Sequence, residues 1–217
     1  MLLERLAETW SALGSTRSRL AKRDLIAGVL SEVGDSDDLE TVVSYLIGSL
    51  RQRRTGVGWR SLADPPAPAA TATLTVAEVH ETFDEIAALS GTGSVATRIA
   101  AVSSLFARAT AAEQDFLRGL VFGELRQGAS EAATQEALAV AYEVPVVAVR
   151  RAAMLRSSTV AAAALLHSGG LAALESVGLA VGTPVQPMLA ASEPDPTAAV
   201  ARTGLPAMVD AKLDGIR

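Results

Sequence analysis

Apolar residues recur at three- and four-residue spacing along most of the chain, and this period predicts an all-helical protein. Alanine, the best helix former, is abundant between the leucines and valines, and strand patterns are sparse. The spacing predicts helices over residues 2–13, 22–33, 37–50, 75–90, 94–108, 110–128, 130–142, 145–156, 159–167 and 197–202.

Several helix boundaries carry their own local signals. The pairs Thr75 with Glu78 and Thr110 with Glu113 have the Thr-x-x-Glu spacing of a capping box, in which side chain and backbone satisfy each other. Serine at a helix start is a preferred cap, so Ser94 and Ser130 are predicted to cap the helices that follow them. Glycine favours helix ends, which predicts stops at Gly128 and at the Gly169–Gly170 pair.

The prolines divide the chain into segments. Residues 63–75 hold three of the nine prolines and predict a linker between two helical halves, 1–63 and 75–177, of one domain spanning 1–177. Further prolines predict a connector over 178–203, and the alternation from Met208 to Ala211 predicts the first strand of another domain in 204–217. We therefore expect an all-α bundle of paired helices in two halves, followed by a short extended segment.

Composition narrows the possible functions. The chain of 217 residues is 49% hydrophobic and 20% charged, with no apolar run as long as a membrane span. Its first residues lack the basic stretch of a signal peptide, which predicts a cytoplasmic protein without a membrane partner. The absence of cysteine excludes disulfides, thiol nucleophiles and cysteine-bound zinc, and two histidines are too few for a histidine metal site or relay unless one works alone.

The charges are unevenly distributed. A net charge of −5 argues against a polyanionic partner, because nucleic acids are bound mainly by neutralising phosphates. However, 13 of the 19 basic residues fall in four windows without any acid, at 9–23, 41–63, 87–112 and 144–174. This distribution favours a basic surface, since ordinary surfaces mix both signs. A chance placement of acids on other helices is the alternative.

Glycine turns flanked by arginine are the predicted phosphate contacts. Glycine lets backbone amides approach a phosphate, and the start of a helix favours an anion. The candidate phosphate-binding residues, for a nucleic-acid partner, are Arg54, Gly56, Gly58, Arg60, Gly93, Ser94, Arg98, Arg126, Gly128, Ser130 and Arg150. Ordinary helix stops are the alternative for the glycines, and an ion pair with Glu124 is the alternative for Arg126.

The last six residues form the pattern Lys-x-Asp-Gly-x-Arg, from Lys212 to Arg217. Of the 19 basic residues 17 are arginine, so a lysine draws attention to amine chemistry that arginine cannot perform. An unprotonated lysine can attack the α-phosphate of a nucleotide. Asp214 and Gly215 would stand beside Lys212, and Arg217 could hold a ribose or phosphate. A chance match is the alternative for so short a pattern.

Two stretches together resemble one known family. The sequence GTPVQPMLA at 182–190, followed by KLDGIR, resembles the junction between the helical DNA-binding domain and the adenylation domain of ATP-dependent DNA ligases. Residues 91–139 look like the central DNA-binding stretch of the same family, and RRAAMLRSS follows as it does there. The resemblance spans most of residues 2–217.

The resemblance implies a fold, an activity and a set of site residues. It implies a helical domain that grips nicked duplex DNA through phosphates and the minor groove without sequence specificity. It implies Lys212 as the adenylated catalytic residue, with Asp214, Gly215 and Arg217 as nucleotide contacts. Asp210 stands where the family commonly has glutamate, two residues before the lysine, and is a further candidate nucleotide contact.

The resemblance also implies cofactors and partners. The full-length enzyme would use ATP and Mg²⁺ to seal nicks through a lysyl-AMP intermediate, with an adenylation domain in the same chain. We expect the present chain alone to be inactive, to hold no cofactor or metal, and to be a monomer associated with the nucleoid of a bacterial cytoplasm. A helical scaffold that binds another protein is the alternative function.

Overall fold

The computed structural model describes residues 1–34, 36–62, 64–125, 130–187 and 192–210, with backbone only at 36, 37 and 60. Within these residues the regular structure is helical, which confirms the all-α prediction. The helices are α1 (Leu3–Ser15), α2 (Arg19–Ser31), α3 (Ser36–Ile47), α4 (Val76–Ala88), α5 (Ser94–Arg108), α6 (Ala111–Phe122), α7 (Glu131–Ala141), α8 (Val146–Arg156), α9 (Thr159–Glu175) and α10 (Pro196–Thr203), with a 3₁₀ turn at Trp59–Ser61.

Both predicted capping boxes are confirmed. The Thr75 hydroxyl accepts the Glu78 N–H at 3.2 Å, and the Glu78 carboxylate accepts the Thr75 N–H at 2.9 Å. Thr110 and Glu113 make the same exchange at 3.4 and 2.8 Å. Ser130 also caps its helix as predicted, by accepting the Ala133 N–H at 3.3 Å. These helix starts are fixed by contacts between residues three apart in sequence.

Two boundaries predicted from caps and glycines are wrong. The residue that caps α5 is Gly93, at φ 85°, and Ser94 is the first residue of the helix. Helix α6 ends at Phe122 instead of near Gly128, because Gly123 takes a left-handed conformation at φ 66°. The stop predicted at Gly169–Gly170 coincides with a break in α9, where Gly170 has the non-helical angles φ 58° and ψ −149° and a second helical segment continues to Glu175.

Residues 1–186 form one compact unit with a shared core. Helix α1 packs on α6, α2 on α7, and α3 on both α9 and α4, while α8 packs on α9. Helices from before and after residues 63–75 are therefore neighbours throughout the unit. Its largest fully buried side chains include those of Tyr45, Phe83 and Phe106.

The proline-rich segment is tied to this unit by hydrogen bonds. The Ala69 N–H donates to the Ala109 carbonyl at 2.9 Å, and the Gln114 amide donates to the Pro66 carbonyl at 3.1 Å. At the end of the segment, an isolated antiparallel bridge joins Leu2 to Thr75. The segment thus follows a defined path over the unit.

Residues 187–217 form a second, much smaller unit. Asp195 caps α10 by accepting the Ala198 N–H at 2.9 Å, and Arg202 pairs with Glu193. Residues 207–210 adopt no regular secondary structure, so the strand predicted from Met208 is not formed in its described part, and Ala211 lies outside the described residues. Among the described helices, none combines the length and the apolar character needed to cross a membrane.

Candidate nucleic-acid interface

The structure brings two of the predicted glycine turns together. A Cβ atom placed on Gly56 would stand 3.0 Å from both Cζ and Nε of Arg98. Gly56 therefore packs directly against the guanidinium group of a residue in α5, and the 3₁₀ turn that follows also packs on α5. We call residues 51–59 and 90–99 the glycine-turn cluster.

Arg98 is the side chain that connects the parts of this cluster. Its Nη2 donates a hydrogen bond of 3.0 Å to the carbonyl of Leu89, the residue that caps the end of α4. Its Nε is buried and has no acceptor. The Arg98 guanidinium is thus held between the end of α4 and the backbone at Gly56, although the sequence analysis treated it as a free phosphate contact.

The start of α5 is open to solvent. Gly93 is exposed and has no side chain to accept the first N–H groups of the helix, unlike the caps of α4, α6 and α7. Gly91 and Gly93 both have positive φ, at 81° and 85°, a conformation that glycine adopts without strain. No residue of α5 before Val102 is buried. An open helix start of this kind favours an anion.

Unpaired arginines lie in the loop that packs against Arg98 of this helix. Arg53 and Arg54 are exposed, and no acid partner is found for either among the described residues. Gly58 is exposed, with no atom within 4 Å of its added Cβ position. The side chain of Arg60 lies outside the described residues. Arg53 and Arg54 therefore present positive charge without a partner carboxylate in the described part of the chain, whereas Arg51 of the same loop is paired with Glu40.

Apolar side chains are also exposed in the cluster. Trp59 is 69% exposed, and its ring lies 5.7 Å from that of Phe122 at the end of α6. Val95 and Ile99, one helical turn apart on α5, are 65% and 46% exposed. Val95 and Ile99 were not among the predicted site residues, because their spacing is the one expected of a core-facing stripe. Arg53 was not among them either, although it lies beside Arg54 in an acid-free window.

The third predicted turn is only partly described. Arg126 and Gly128 lie outside the described residues, whereas Leu125 and Ser130 on either side are described. Leu125 is buried, and its side chain lies 2.5 Å from the position of a Cβ added to Gly119 and 3.4 Å from one added to Gly48. The residue before the turn is thus anchored against the end of α3.

Arg150 lies in different surroundings. Its guanidinium makes an ion pair of 2.7 Å with Glu136 of α7, along a groove of about 420 Å³ that Arg23 also lines. Helices α7 and α8 pack on each other and on α2 and α9, whereas α5 packs on α4 and the 3₁₀ turn. Arg150 and Ser130 therefore belong to a separate part of the unit, which we call the α7–α8 face.

Other arginines from the acid-free windows are also paired. Arg51 contacts Glu40 at 2.6 Å, Arg108 contacts Glu78 at 2.8 Å, and Arg23 contacts Asp24 at 2.7 Å. The hydrogen bond from Arg108, together with two from Thr75, lowers the pKa of Glu78 from its usual 4.5 to about 2. A segment that contains no acidic residue in its own sequence can thus still contact acidic residues from outside that segment.

The predicted nucleotide contacts are mostly beyond what is described. Lys212, Asp214, Gly215 and Arg217 lie outside the described residues, and Asp210 is described and exposed. In the described part of the chain, no three His, Asp or Glu side chains are grouped as a metal ion would require.

Part of the helical unit matches a known protein family. Residues 63–139 match the family model described as "DNA ligase N terminus". This match, together with the relatives described next, confirms the resemblance to DNA ligases found in the sequence.

Individual relatives agree along the whole chain. It is 55% identical over 222 residues to a "Probable DNA ligase" of Nocardioides sp. and 54% identical over 219 residues to one of Kineococcus radiotolerans. A "Probable DNA ligase" of Streptomyces griseus is 46% identical over 217 residues. Each alignment covers 100% of this chain but only 43%, 44% and 42% of the respective relative. The chain thus spans less than half the length of these curated relatives.

Proposed function

We propose that this chain is the DNA-binding domain of an ATP-dependent DNA ligase, and that it grips nicked duplex DNA through the glycine-turn cluster. The observation that carries the proposal is the contact between Gly56 and Arg98, which joins the loop of exposed, unpaired arginines to the helix whose start is uncapped. Arginine and open backbone amides are the groups that bind phosphate most readily.

The cluster offers different groups to different parts of DNA. The N–H groups at the start of α5 and the side chains of Arg53 and Arg54 would contact phosphates. The exposed Val95 and Ile99 would lie against the sugars that line the minor groove, where apolar side chains are commonly used. None of these contacts reads a base edge, so binding would not depend on sequence.

The remaining predicted residues would extend this contact. Gly58, Arg60, Arg126 and Gly128 belong to the same or the neighbouring turn in sequence. Ser130 and Arg150 of the α7–α8 face would contact DNA only at the outer edge of the interface. Arg150 must also break its ion pair with Glu136 before it can bind a phosphate. We therefore rank these two below Arg54 as contributors to affinity.

The chemistry of sealing rests on the lysine motif alone. In the full-length protein, Lys212 would be the residue adenylated by ATP in the presence of Mg²⁺, and Asp210, Asp214, Gly215 and Arg217 would hold the nucleotide. The adenylation domain would follow in the same chain, and the protein would act as a monomer in the bacterial cytoplasm, associated with the nucleoid. The "Probable DNA ligase" relatives support this assignment by their names and by identity along the whole chain.

A binding measurement tests the proposal directly. Fluorescence anisotropy with labelled duplexes, intact or carrying one nick, should show affinity falling steeply with salt, by about 0.9 in log K per log salt for each phosphate neutralised. Duplexes of unrelated sequence should bind about equally well. Affinity that does not change between low and moderate salt would contradict the proposal and favour a scaffold that binds another protein.

A further inference from the structure

We infer that Arg98 is a positioning residue that shapes the glycine-turn cluster for DNA, and that its own charge is not a principal phosphate contact. The inference rests on the proposed function, since it assigns Arg98 a task within the same interface. Arginine was singled out in the sequence for its charge, but the contacts of Arg98 are directed to the protein.

The first argument is where the Arg98 guanidinium points. One of its nitrogens, Nη2, donates to the Leu89 carbonyl at the end of α4, in a group of carbonyls that lack partners within their own helix. The Nε atom is fully covered. A guanidinium intended mainly for phosphate would present its donors outward in a fork, as in bidentate recognition.

The second argument is the fit between Arg98 and Gly56. An added Cβ would lie 3.0 Å from Cζ and Nε and 3.4 Å from Nη1, which is closer than side chains normally approach. The flat guanidinium therefore occupies the space that any residue other than glycine would fill. Gly56 also has φ +67°, so this loop conformation depends both on glycine and on the arginine beneath it.

The third argument is that this contact joins the two parts of the cluster. Gly56 belongs to the loop that carries Arg53 and Arg54, and Arg98 belongs to the helix whose start is open at Gly93. Holding them together in advance avoids ordering them when DNA binds, which would reduce affinity. We therefore expect the planar shape of Arg98 to matter more than its charge.

A double-mutant cycle tests this assignment. Arg98→Ala and Gly56→Ala are each made alone and together, and duplex affinity and thermal stability are measured for all four proteins. Because Gly56→Ala displaces the guanidinium in the wild type but meets no guanidinium in the Arg98→Ala protein, its effect should be several-fold smaller there. Gly91→Ala is the matched control, since Gly91 also has positive φ, +81°, but nothing within 4 Å. The effect of Gly91→Ala should be the same in the wild type and in the Arg98→Ala protein.

Arg98→Lys separates shape from charge. Lysine keeps the positive charge but has no planar group to pack under Gly56. We expect Arg98→Lys to weaken duplex binding almost as much as Arg98→Ala, by about tenfold, because preorganisation is lost in both. In a Trp10→Phe background, the emission of Trp59 without DNA should also change in both variants, because Trp59 follows the loop that Arg98 supports.

The outcomes separate the two proposals. Suppose that the wild type binds duplex DNA, that Arg98→Lys binds it almost as tightly, and that the effects of Gly56→Ala and Arg98→Ala are additive. These results would overturn the positioning role of Arg98 and leave the proposed DNA-binding function intact. A wild-type chain that does not bind duplex would overturn the proposed function. The thermal stabilities of the Gly56→Ala and Arg98→Ala cycle, together with the emission of Trp59, would then still show whether Arg98 supports the loop at Gly56.

Discussion

The glycine-turn cluster and the α7–α8 face were predicted from the same pattern, yet they differ in what surrounds their arginines. Arg53 and Arg54 of the cluster are exposed without an acid partner among the described residues, whereas Arg150 of the α7–α8 face pairs with Glu136 at 2.7 Å. A paired arginine has already satisfied donors that a phosphate would use. Phosphate must then displace a carboxylate, which reduces the net gain.

The two regions also differ in how they form left-handed turns. The cluster has glycine at Gly56, Gly91 and Gly93, all with positive φ. The turns on either side of α8 place Glu143 and Ser157 in the same conformation, both at φ 53°. A side chain in this conformation costs about 1 kcal/mol or more and also covers the backbone. Glycine leaves the turns of the cluster free of this strain and their backbone uncovered, so a ligand could approach it closely.

The largest difference is expected from matched arginine substitutions. Arg54→Ala should weaken duplex binding about fivefold near 100 mM salt and reduce the slope of log K against log salt by about 0.9, because one phosphate contact is lost. Arg150→Ala removes the same formal charge but should change affinity less than twofold. Fluorescence anisotropy over a range of salt concentrations measures both quantities.

Glu136→Gln provides the control for this pair of substitutions. It releases Arg150 from its carboxylate and should raise affinity slightly if the α7–α8 face borders DNA. Equal losses of duplex affinity in Arg54→Ala and Arg150→Ala would contradict the distinction between the two regions, because they would show that both regions contact DNA. A sequence-dependent loss in either variant would argue against binding through phosphates.

Helix starts could be predicted from the sequence because their determinants are local. The capping boxes at Thr75 and Thr110 and the cap at Ser130 involve residues only three apart, so their spacing is visible in the chain. The end of α6 was misplaced because glycines at 123 and 128 can both end a helix. The structure selects Gly123, with Leu125 buried against Gly119 immediately after it.

The candidate site was harder to predict because its contacts are not local. The turns and the arginine-rich loop could be found from composition. The pairing of Arg150 with Glu136 and the packing of Arg98 against Gly56 could not, since each joins different elements. Acid-free windows describe neighbours along the chain, whereas electrostatic screening depends on neighbours in space.

A second expected effect concerns the paired arginines and is smaller. Arg108 holds the Glu78 carboxylate, whose pKa falls to about 2 from its usual 4.5. Because the folded pKa lies below the unfolded one, this stabilisation is complete above about pH 4.5 and is lost as the pH falls toward 2. Glu78→Gln should lower Tm by a few degrees at pH 7. The gap from the wild type should be narrower at pH 3 and close only near pH 2.

Glu81→Gln on the same helix is the control for this pH dependence. Glu81 is exposed and has no ion pair among the described residues, so its substitution should leave the difference between pH 7 and pH 3 as in the wild type. A gap for Glu78→Gln that stays constant with pH would show that Arg108 and Glu78 do not stabilise the fold as an ion pair. Arg108 would then have to be grouped with the unpaired arginines.

The smallest expected effect tests the use of glycine in the two regions. Ser157 ends α8 at φ 53°, and glycine is free of strain there, so Ser157→Gly should raise the free energy of unfolding by about 1 kcal/mol. Ser176→Gly is the control, because Ser176 ends α9 in a right-handed conformation at φ −70° and should gain nothing. Chemical denaturation measures both changes. Duplex affinity should be unaltered in Ser157→Gly, since the turn lies outside the glycine-turn cluster. An increase in affinity with no increase in stability would instead show that backbone access at Ser157 limits DNA binding, and would remove the distinction between the two regions.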